Sequence, residues 1–148
     1  MARIERFEDI EAWKKARVLV QAVYGVCSVE GFKRDYGLMD QMRRAAVSIM
    51  ANIAEGFARR TTKEFINFLG MAHASAAELQ SHLYVALDQQ YISNKDFQHL
   101  YALADEVSRM IQAFISYLRN SQTPKPANSQ TPKLPNSQLS NPPSERIE

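Results

Sequence analysis

The chain has 148 residues, 45% of which are hydrophobic, and its formal net charge is +2 at pH 7. This length is sufficient for one domain with a sizeable core, and so small a net charge does not by itself indicate a nucleic acid or a membrane as partner. Cys27 is the only cysteine, which excludes an intrachain disulfide and a cysteine-based metal site. The N-terminus is too rich in charge for a signal peptide, and the longest charge-free runs, 18–29 and 65–77, are too short to cross a bilayer. We therefore expect a cytoplasmic protein that makes no membrane contact.

The first two predicted helices lie within residues 7–58. Helix 1 runs from about Phe7 to Cys27 and opens with acidic residues, which favour a helix N-terminus. Its predicted buried residues are Ile10, Trp13, Ala16, Val20, Val23, Tyr24 and Cys27. After a loop over 28–37, helix 2 runs to about Ala58, and Gly56 is a plausible terminator. Apolar residues recur along it at helical spacing: Leu38, Met42, Ala45, Ala46, Ile49, Ile53 and Phe57.

Two further helices complete the predicted fold. Thr61, followed by Glu64, matches a capping box and begins helix 3, which reaches about Gln90. Ser93 begins helix 4 in a weaker version of the same pattern, and this helix ends near Arg119. No segment alternates as a strand would, and the short connections around helix 3 require antiparallel neighbours. The sequence predicts an all-α fold, an antiparallel up-down-up-down four-helix bundle over residues 1–119.

Residues 120–148 form a tail of different composition. They contain three imperfect octads, which begin at residues 120, 128 and 136, and all six prolines of the chain. So few apolar residues cannot offset the entropy of ordering the segment, and we expect a disordered tail rich in Pro, Asn and Ser. A docking function for the tail and a tandem gene duplication without function remain open alternatives.

A polar stripe follows helix 2. At about 100° per residue, its members fall within about 60° of one another. The stripe consists of Gln41, Arg44, Ser48, Asn52 and Glu55. We expect these groups to be shielded from water as a network, paired with one another or with neighbouring copies. Glu78 of helix 3 and Glu55 either meet there or are neutralised by hydrogen bonds or by Arg44. Such a network would specify helix register or subunit contacts. Direct ligand contact and a partly exposed face without a special role are the alternatives.

The basic residues are concentrated in the first half of the chain. Residues 1–63 contain 12 Lys/Arg against 8 Asp/Glu, whereas residues 64–119 contain 3 against 6. The segment 59–63 lies at a helix start, where free amides favour a phosphate. Solvated loop charge is the simpler interpretation. The candidate phosphate contacts are Lys14, Lys15, Arg43, Arg59, Arg60 and Lys63.

The sequence offers little for metal binding or catalysis. His73 and His82 are nine residues apart and so lie on opposite sides of their helix. No Glu-x-x-His occurs, and neither Ser48, Ser75 nor Cys27 has an activating His or Lys at helical contact spacing. We expect no metal, no cofactor, no catalytic residue and no enzymatic activity.

Three motifs of the chain resemble a known family. They are Phe7-Glu-Asp-Ile-Glu-Ala-Trp13, Gln41-Met-Arg-Arg44-Ala-Ala-Val-Ser48-Ile49 and Asn52-Ile-Ala-Glu55-Gly-Phe57. In these motifs, and over about residues 3–119, the sequence resembles the bacterial four-helix-bundle proteins encoded in intervening sequences of 23S rRNA genes. Met50 departs from the pattern, because such proteins often have proline there.

The resemblance implies a homo-oligomer, a ring of five, with no assigned catalytic residues. Relatives in the same fold group are accessory proteins of diversity-generating retroelements, which bind a reverse transcriptase and its RNA. The leading hypothesis is therefore an oligomeric scaffold for structured RNA. The alternatives are an adaptor for a reverse transcriptase or another protein, and an element-encoded protein with little selected activity beyond folding.

Overall fold

The computed structural model describes residues 3–122, and all four predicted helices are present in this range. They are α1 (Glu11–Cys27), α2 (Tyr36–Phe57), α3 (Thr62–Asp88) and α4 (Asn94–Gln122), and the described residues contain no strand. Each helix packs against its neighbour in sequence, and α4 packs back against α1, which gives the predicted four-helix bundle. The tail prediction lies outside the described residues from 123 onward, whereas residues 120–122 continue α4 beyond its predicted end.

The N-terminus of α1 differs from the prediction. Residues Phe7–Asp9 form a single 3-10 turn, and Ile10 is extended, so that the α-helix begins only at Glu11. The carboxylate of Asp9 accepts the amide hydrogens of Glu5 and Arg6, at 3.0 and 3.2 Å. These backbone hydrogen bonds hold the turn closed, and the bond from Glu5 is the main reason that the pKa of Asp9 lies below its ordinary value.

The buried face of α1 also differs from the prediction. Leu19 is fully buried, whereas Tyr24 is 46% exposed and Trp13 and Val20 are half-buried. The other four predicted residues, Ile10, Ala16, Val23 and Cys27, are buried as predicted, so the buried face is rotated only slightly from the predicted one. The residues of α1 that the structure buries are Ala12, Ala16, Leu19, Val23 and Cys27.

Side-chain caps fix the starts of the other helices. Thr61 Oγ1 accepts the amide hydrogen of Glu64 at 3.1 Å, and Ser93 Oγ accepts that of Asp96 at 3.0 Å, which confirms both predicted caps. The sequence analysis missed the cap of α2, where Asp35 Oδ1 accepts the amide hydrogen of Leu38 at 3.1 Å.

The centre of the bundle is continuous and apolar. Phe32, from the connection between α1 and α2, closes one end of it, and no polar or charged residue of the described chain is fully buried. Gly56 marks a close approach of α2 to α3, because an added Cβ would lie 2.7 Å from Phe68 Cβ. The largest fully buried side chains are Phe32, Leu19, Met42, Ile49, Ile53, Leu69, Leu79, Leu83, Leu100, Ile111, Val23 and Val107.

The Asp35 cap also predicts a pH dependence of stability. Tyr91 donates its hydroxyl hydrogen to Asp35 Oδ2 at 3.3 Å, and desolvation together with Asp35 raises the pKa of Tyr91 above its ordinary value of 10. The pKa of Tyr91 is higher in the folded than in the unfolded protein. The stability that its hydrogen bond to Asp35 contributes is therefore complete below pH 10 and is lost as the pH rises through the folded pKa. We expect Tyr91→Phe to lose less stability than the unmodified protein between about pH 8 and pH 11, as measured by urea unfolding. Equal losses of stability in the two proteins would mean that the Asp35–Tyr91 hydrogen bond does not contribute to folding stability.

Candidate functional site

A short hydrogen-bonded chain occupies the middle of the polar stripe, in the seam between α2 and α3. The hydroxyls of Ser48 and Ser75 are 2.9 Å apart, and the Asn52 side-chain amide donates to the carbonyl and hydroxyl oxygens of Ser48 at 2.9 and 3.0 Å. All three residues are half-buried. Ser75 is the member that the sequence analysis did not include, although it lies three residues before Glu78 on the helix that faces Ser48.

The remainder of the predicted network does not form within one chain. Gln41, Arg44, Glu55 and Glu78 are exposed in the single chain, so only contact with neighbouring copies could shield them, and that part of the expectation stays a prediction. Arg44 Nε lies 2.8 Å from Asp40 Oδ2, and this hydrogen bond raises the pKa of Arg44.

The two acidic members of the predicted network also have partners four residues later in the chain. Glu55 pairs with Arg59 at 3.1 Å and Glu78 with His82 at 3.4 Å. Arg44 therefore does not neutralise Glu55 or Glu78. An exposed side chain with a partner one turn away needs no contact across the bundle.

The exposed residues on either side of this seam form one surface, which we call the α2–α3 face. Its charged members lie beside small and apolar side chains, and Met71 is 46% exposed. The α2–α3 face consists of Arg44, Ala51, Glu55, Met71, Ala74 and Glu78.

Three of the six candidate phosphate contacts are occupied by neighbouring groups. Lys14 pairs with Glu11 on its own helix at 3.0 Å, and Lys15 pairs with Glu106 of α4 at 3.3 Å. The third, Arg59, is held by Glu55 and lies with its guanidinium carbon 4.6 Å from the centre of the Phe68 ring.

Arg60 and Lys63 remain exposed at the junction of α2 and α3, on either side of the Thr61 cap. No carboxylate of the described chain lies within 4 Å of either cation. Of the predicted set, these two residues are the cations best placed to meet a phosphate.

Arg43, the sixth candidate, lies in a different environment. Its Nε is buried without a hydrogen-bond partner, and its Nη2 lies 3.3 Å from the sulfur of Met39. The guanidinium carbon lies 5.1 Å from the centre of the Tyr24 ring. Burial raises the pKa of the nearby Cys27 thiol, and the positive charge of Arg43 opposes this increase. Arg43 is therefore a half-buried cation rather than a free surface charge.

Within residues 3–122, no group of three His, Cys, Asp or Glu side chains could hold a metal ion. A cavity of about 380 Å³ between the N-terminal turn and α4 is lined mainly by apolar side chains. The acids at this cavity, Asp9 and Glu11, are engaged by backbone amides and by Lys14. None of the described helices is both long and apolar enough for a membrane crossing.

Comparison with known proteins adds family information to this geometry. The model of one family, described as 23S rRNA-intervening sequence protein, matches residues 8–113. A protein of unknown function from the S23 ribosomal protein family of Bacteroides thetaiotaomicron VPI-5482 has a similar solved structure. The TM-score is 0.65 at 21% sequence identity, and the match covers 70% of this chain and 97% of that chain. At this identity the likeness shows a shared fold. No curated protein matches the chain significantly.

Proposed function

Since this chain belongs to the 23S rRNA-intervening sequence protein family, we propose that it is a non-enzymatic cytoplasmic scaffold that assembles with copies of itself and contacts structured RNA. The supporting observation is the pair of exposed cations Arg60 and Lys63, which have no carboxylate partner within the described residues. Binding led by phosphates requires cations of this kind, because a cation that is already paired must first give up its partner.

The position of these two cations favours a phosphate. Thr61, between them, caps the first turn of α3, where backbone amides lack partners within the helix and the helix dipole is positive. On the α2 side of the junction, Arg59 is held by its ion pair with Glu55 and by its contact with the Phe68 ring. The junction is therefore a defined cationic corner of the bundle.

Self-assembly would strengthen such a corner. Each copy contributes one Arg60–Lys63 pair, so the ring of five that the sequence resemblance implies would present five pairs to one RNA. The exponent of the salt dependence grows with the number of phosphates that are neutralised. Repeated weak contacts then give useful affinity without base-specific recognition.

Salt-dependent RNA binding tests this proposal. We expect the full chain to bind a fluorescent RNA hairpin with an affinity that falls steeply between about 50 and 200 mM salt. The variant Arg60→Gln/Lys63→Gln should bind more weakly and show a shallower salt slope, by about 0.7–0.9 for each phosphate that the variant no longer neutralises.

A matched control for this experiment is Lys95→Gln. Lys95 is an exposed cation on the first turn of α4 and also lacks a carboxylate partner within residues 3–122. Its substitution should leave the slope unchanged. An affinity that does not depend on salt, or an equal loss in the control, would contradict phosphate-led binding at the α2–α3 junction.

An adaptor for a protein partner is the second candidate function. The observation that favours it is a set of large apolar side chains exposed on α1 and α2: Tyr24 is 46% exposed, Tyr36 65% and Val47 41%. The sequence resemblance suggests a reverse transcriptase as one such partner. Co-elution of the full chain with a purified reverse transcriptase in gel filtration, insensitive to Arg60→Gln/Lys63→Gln, would favour this function over the scaffold for RNA.

A further inference from the structure

Arg43 lacks the carboxylate partner that its neighbour Arg44 has on α2 and that Arg59 has just after α2. Arg44 pairs with Asp40 at 2.8 Å and Arg59 with Glu55 at 3.1 Å, whereas Arg43 contacts only a thioether, a thiol and an aromatic ring. Its buried Nε has no hydrogen-bond partner. A half-buried cation that has one nitrogen shielded from water and no counter-charge is unfavourable for the isolated chain. A carboxylate supplied from outside would offset this cost.

A second arginine without a carboxylate partner, Arg17, lies on α1, on the same side of that helix as Tyr24. Arg17 precedes Tyr24 by seven residues, which is two helical turns, or about 10 Å along the axis. Because Arg43 lies over the Tyr24 ring, about the same distance along the α1 axis separates Arg43 from Arg17. No carboxylate of the described chain lies within 4 Å of either arginine, and Asp40, one turn before Arg43, is engaged by Arg44.

Large exposed side chains lie on the same two helices as these arginines: Tyr24 is 46% exposed, Tyr36 65% and Val47 41%. We call this surface the α1–α2 seam and define it by Arg17 and Tyr24 of α1 and Tyr36, Arg43 and Val47 of α2. Tyrosine and arginine are the residues most enriched where protein interfaces concentrate their binding energy. A surface that binds nucleic acid backbone would present many exposed cations. Here two cations are separated by apolar side chains, which favours a protein partner.

We propose that the α1–α2 seam binds an acidic amphipathic helix of a partner protein. Carboxylates seven residues apart on that helix match the spacing of Arg17 and Arg43, and aliphatic side chains between them cover Tyr24 and Val47. The proposal specifies the partner chemistry of the adaptor function, on which it rests. It does not involve Arg60 or Lys63, so it can fail while RNA binding stands.

Fluorescence anisotropy with designed peptides tests the proposal. The first probe is a labelled helical peptide with Glu at positions i and i+7 and Leu at i+3 and i+4, and the second has Lys in place of both Glu. We expect the full chain to bind the Glu peptide at least tenfold more tightly than the Lys peptide. Arg43→Met should weaken this binding about tenfold and Arg17→Met about fivefold. Arg60→Met, the matched control, should change it less than twofold.

Several outcomes would overturn the proposal. One is equal affinity for the two peptides, and another is binding that neither Arg43→Met nor Arg17→Met weakens. The seam would be assigned to nucleic acid instead if an RNA hairpin displaced the Glu peptide and Arg43→Met also weakened binding of the hairpin. Arg43→Met should melt at or above the temperature of the unmodified protein. A lower melting temperature would show that Arg43 stabilises the fold, against the proposal. Because Arg17 is exposed, Arg17→Met tests binding without an effect on the packing of the bundle.

Discussion

Replacing Gly56 with alanine is expected to destabilise the protein by about 2 kcal/mol, although alanine is the better helix former. The added methyl group would lie 2.7 Å from Phe68 Cβ and 2.9 Å from Phe65 Cδ1. Phe68 Cβ is fixed to the backbone of α3, so rotation of the ring cannot relieve the clash. The two helices would have to separate at the junction that carries Arg60 and Lys63, and the packing of α2 against α3 would loosen.

Gly25→Ala is the matched control for Gly56→Ala. Gly25 lies near the end of α1, and a Cβ added there would meet nothing within 4 Å. Without a clash, the helix propensity of alanine should stabilise the protein by up to about 1 kcal/mol. Urea unfolding of the two variants beside the unmodified protein measures both effects. Similar changes in stability would show that the close approach at Gly56 is not restrictive.

Ala74→Glu is expected to convert the assembled protein into monomers. Ala74 is exposed on the α2–α3 face, which we propose as the contact between copies, because a small side chain there would allow a neighbouring copy to approach closely. Glutamate there adds bulk and a charge near Glu78, which is already exposed. Burying an unpaired carboxylate at a subunit contact costs more than a small interface can offset. Multi-angle light scattering should give the mass of one chain for the variant and a multiple of it for the unmodified protein.

Ala102→Glu controls for the general effect of a new surface charge. Ala102 is an exposed alanine on the outer side of α4, away from the α2–α3 face. This variant should keep the mass of the unmodified protein, and both variants should retain their helical circular dichroism. A monomeric unmodified protein would refute self-assembly, and an assembled Ala74→Glu variant would refute the α2–α3 face as the contact.

Helical periodicity was enough to predict the four helices, and local capping patterns were enough for the starts of α3 and α4. The start of α1 could not be predicted in the same way, because Glu8 and Asp9 suit a helical first turn equally well. In the structure, Asp9 instead bonds to the amides of Glu5 and Arg6 and closes a separate turn. Only the extended backbone at Ile10 distinguishes the two possibilities, and no residue type encodes it uniquely.

The candidate surfaces were harder to predict for a related reason. Periodicity gives the direction of a side chain around its helix but not its depth or its partner on the next helix. Arg43 therefore looked like Arg60 in the sequence, yet the register of α1 against α2 places it over Tyr24. Arg44 looked like a central member of a network, but Asp40, one turn away, is its partner. Distances between helices decide such questions, and a single sequence does not contain them.

The ion pairs of the described bundle are mostly short-range in sequence. Arg44, Arg59 and Arg109 each pair with an acid four residues earlier in the chain, whereas Lys15–Glu106 joins α1 to α4. Exposed pairs of this kind contribute little to folding, and salt screens them. Raising the ionic strength should thus abolish recognition at Arg60 and Lys63 long before it loosens the apolar centre. If RNA binds there as proposed, one solution variable would release it while the bundle stays folded.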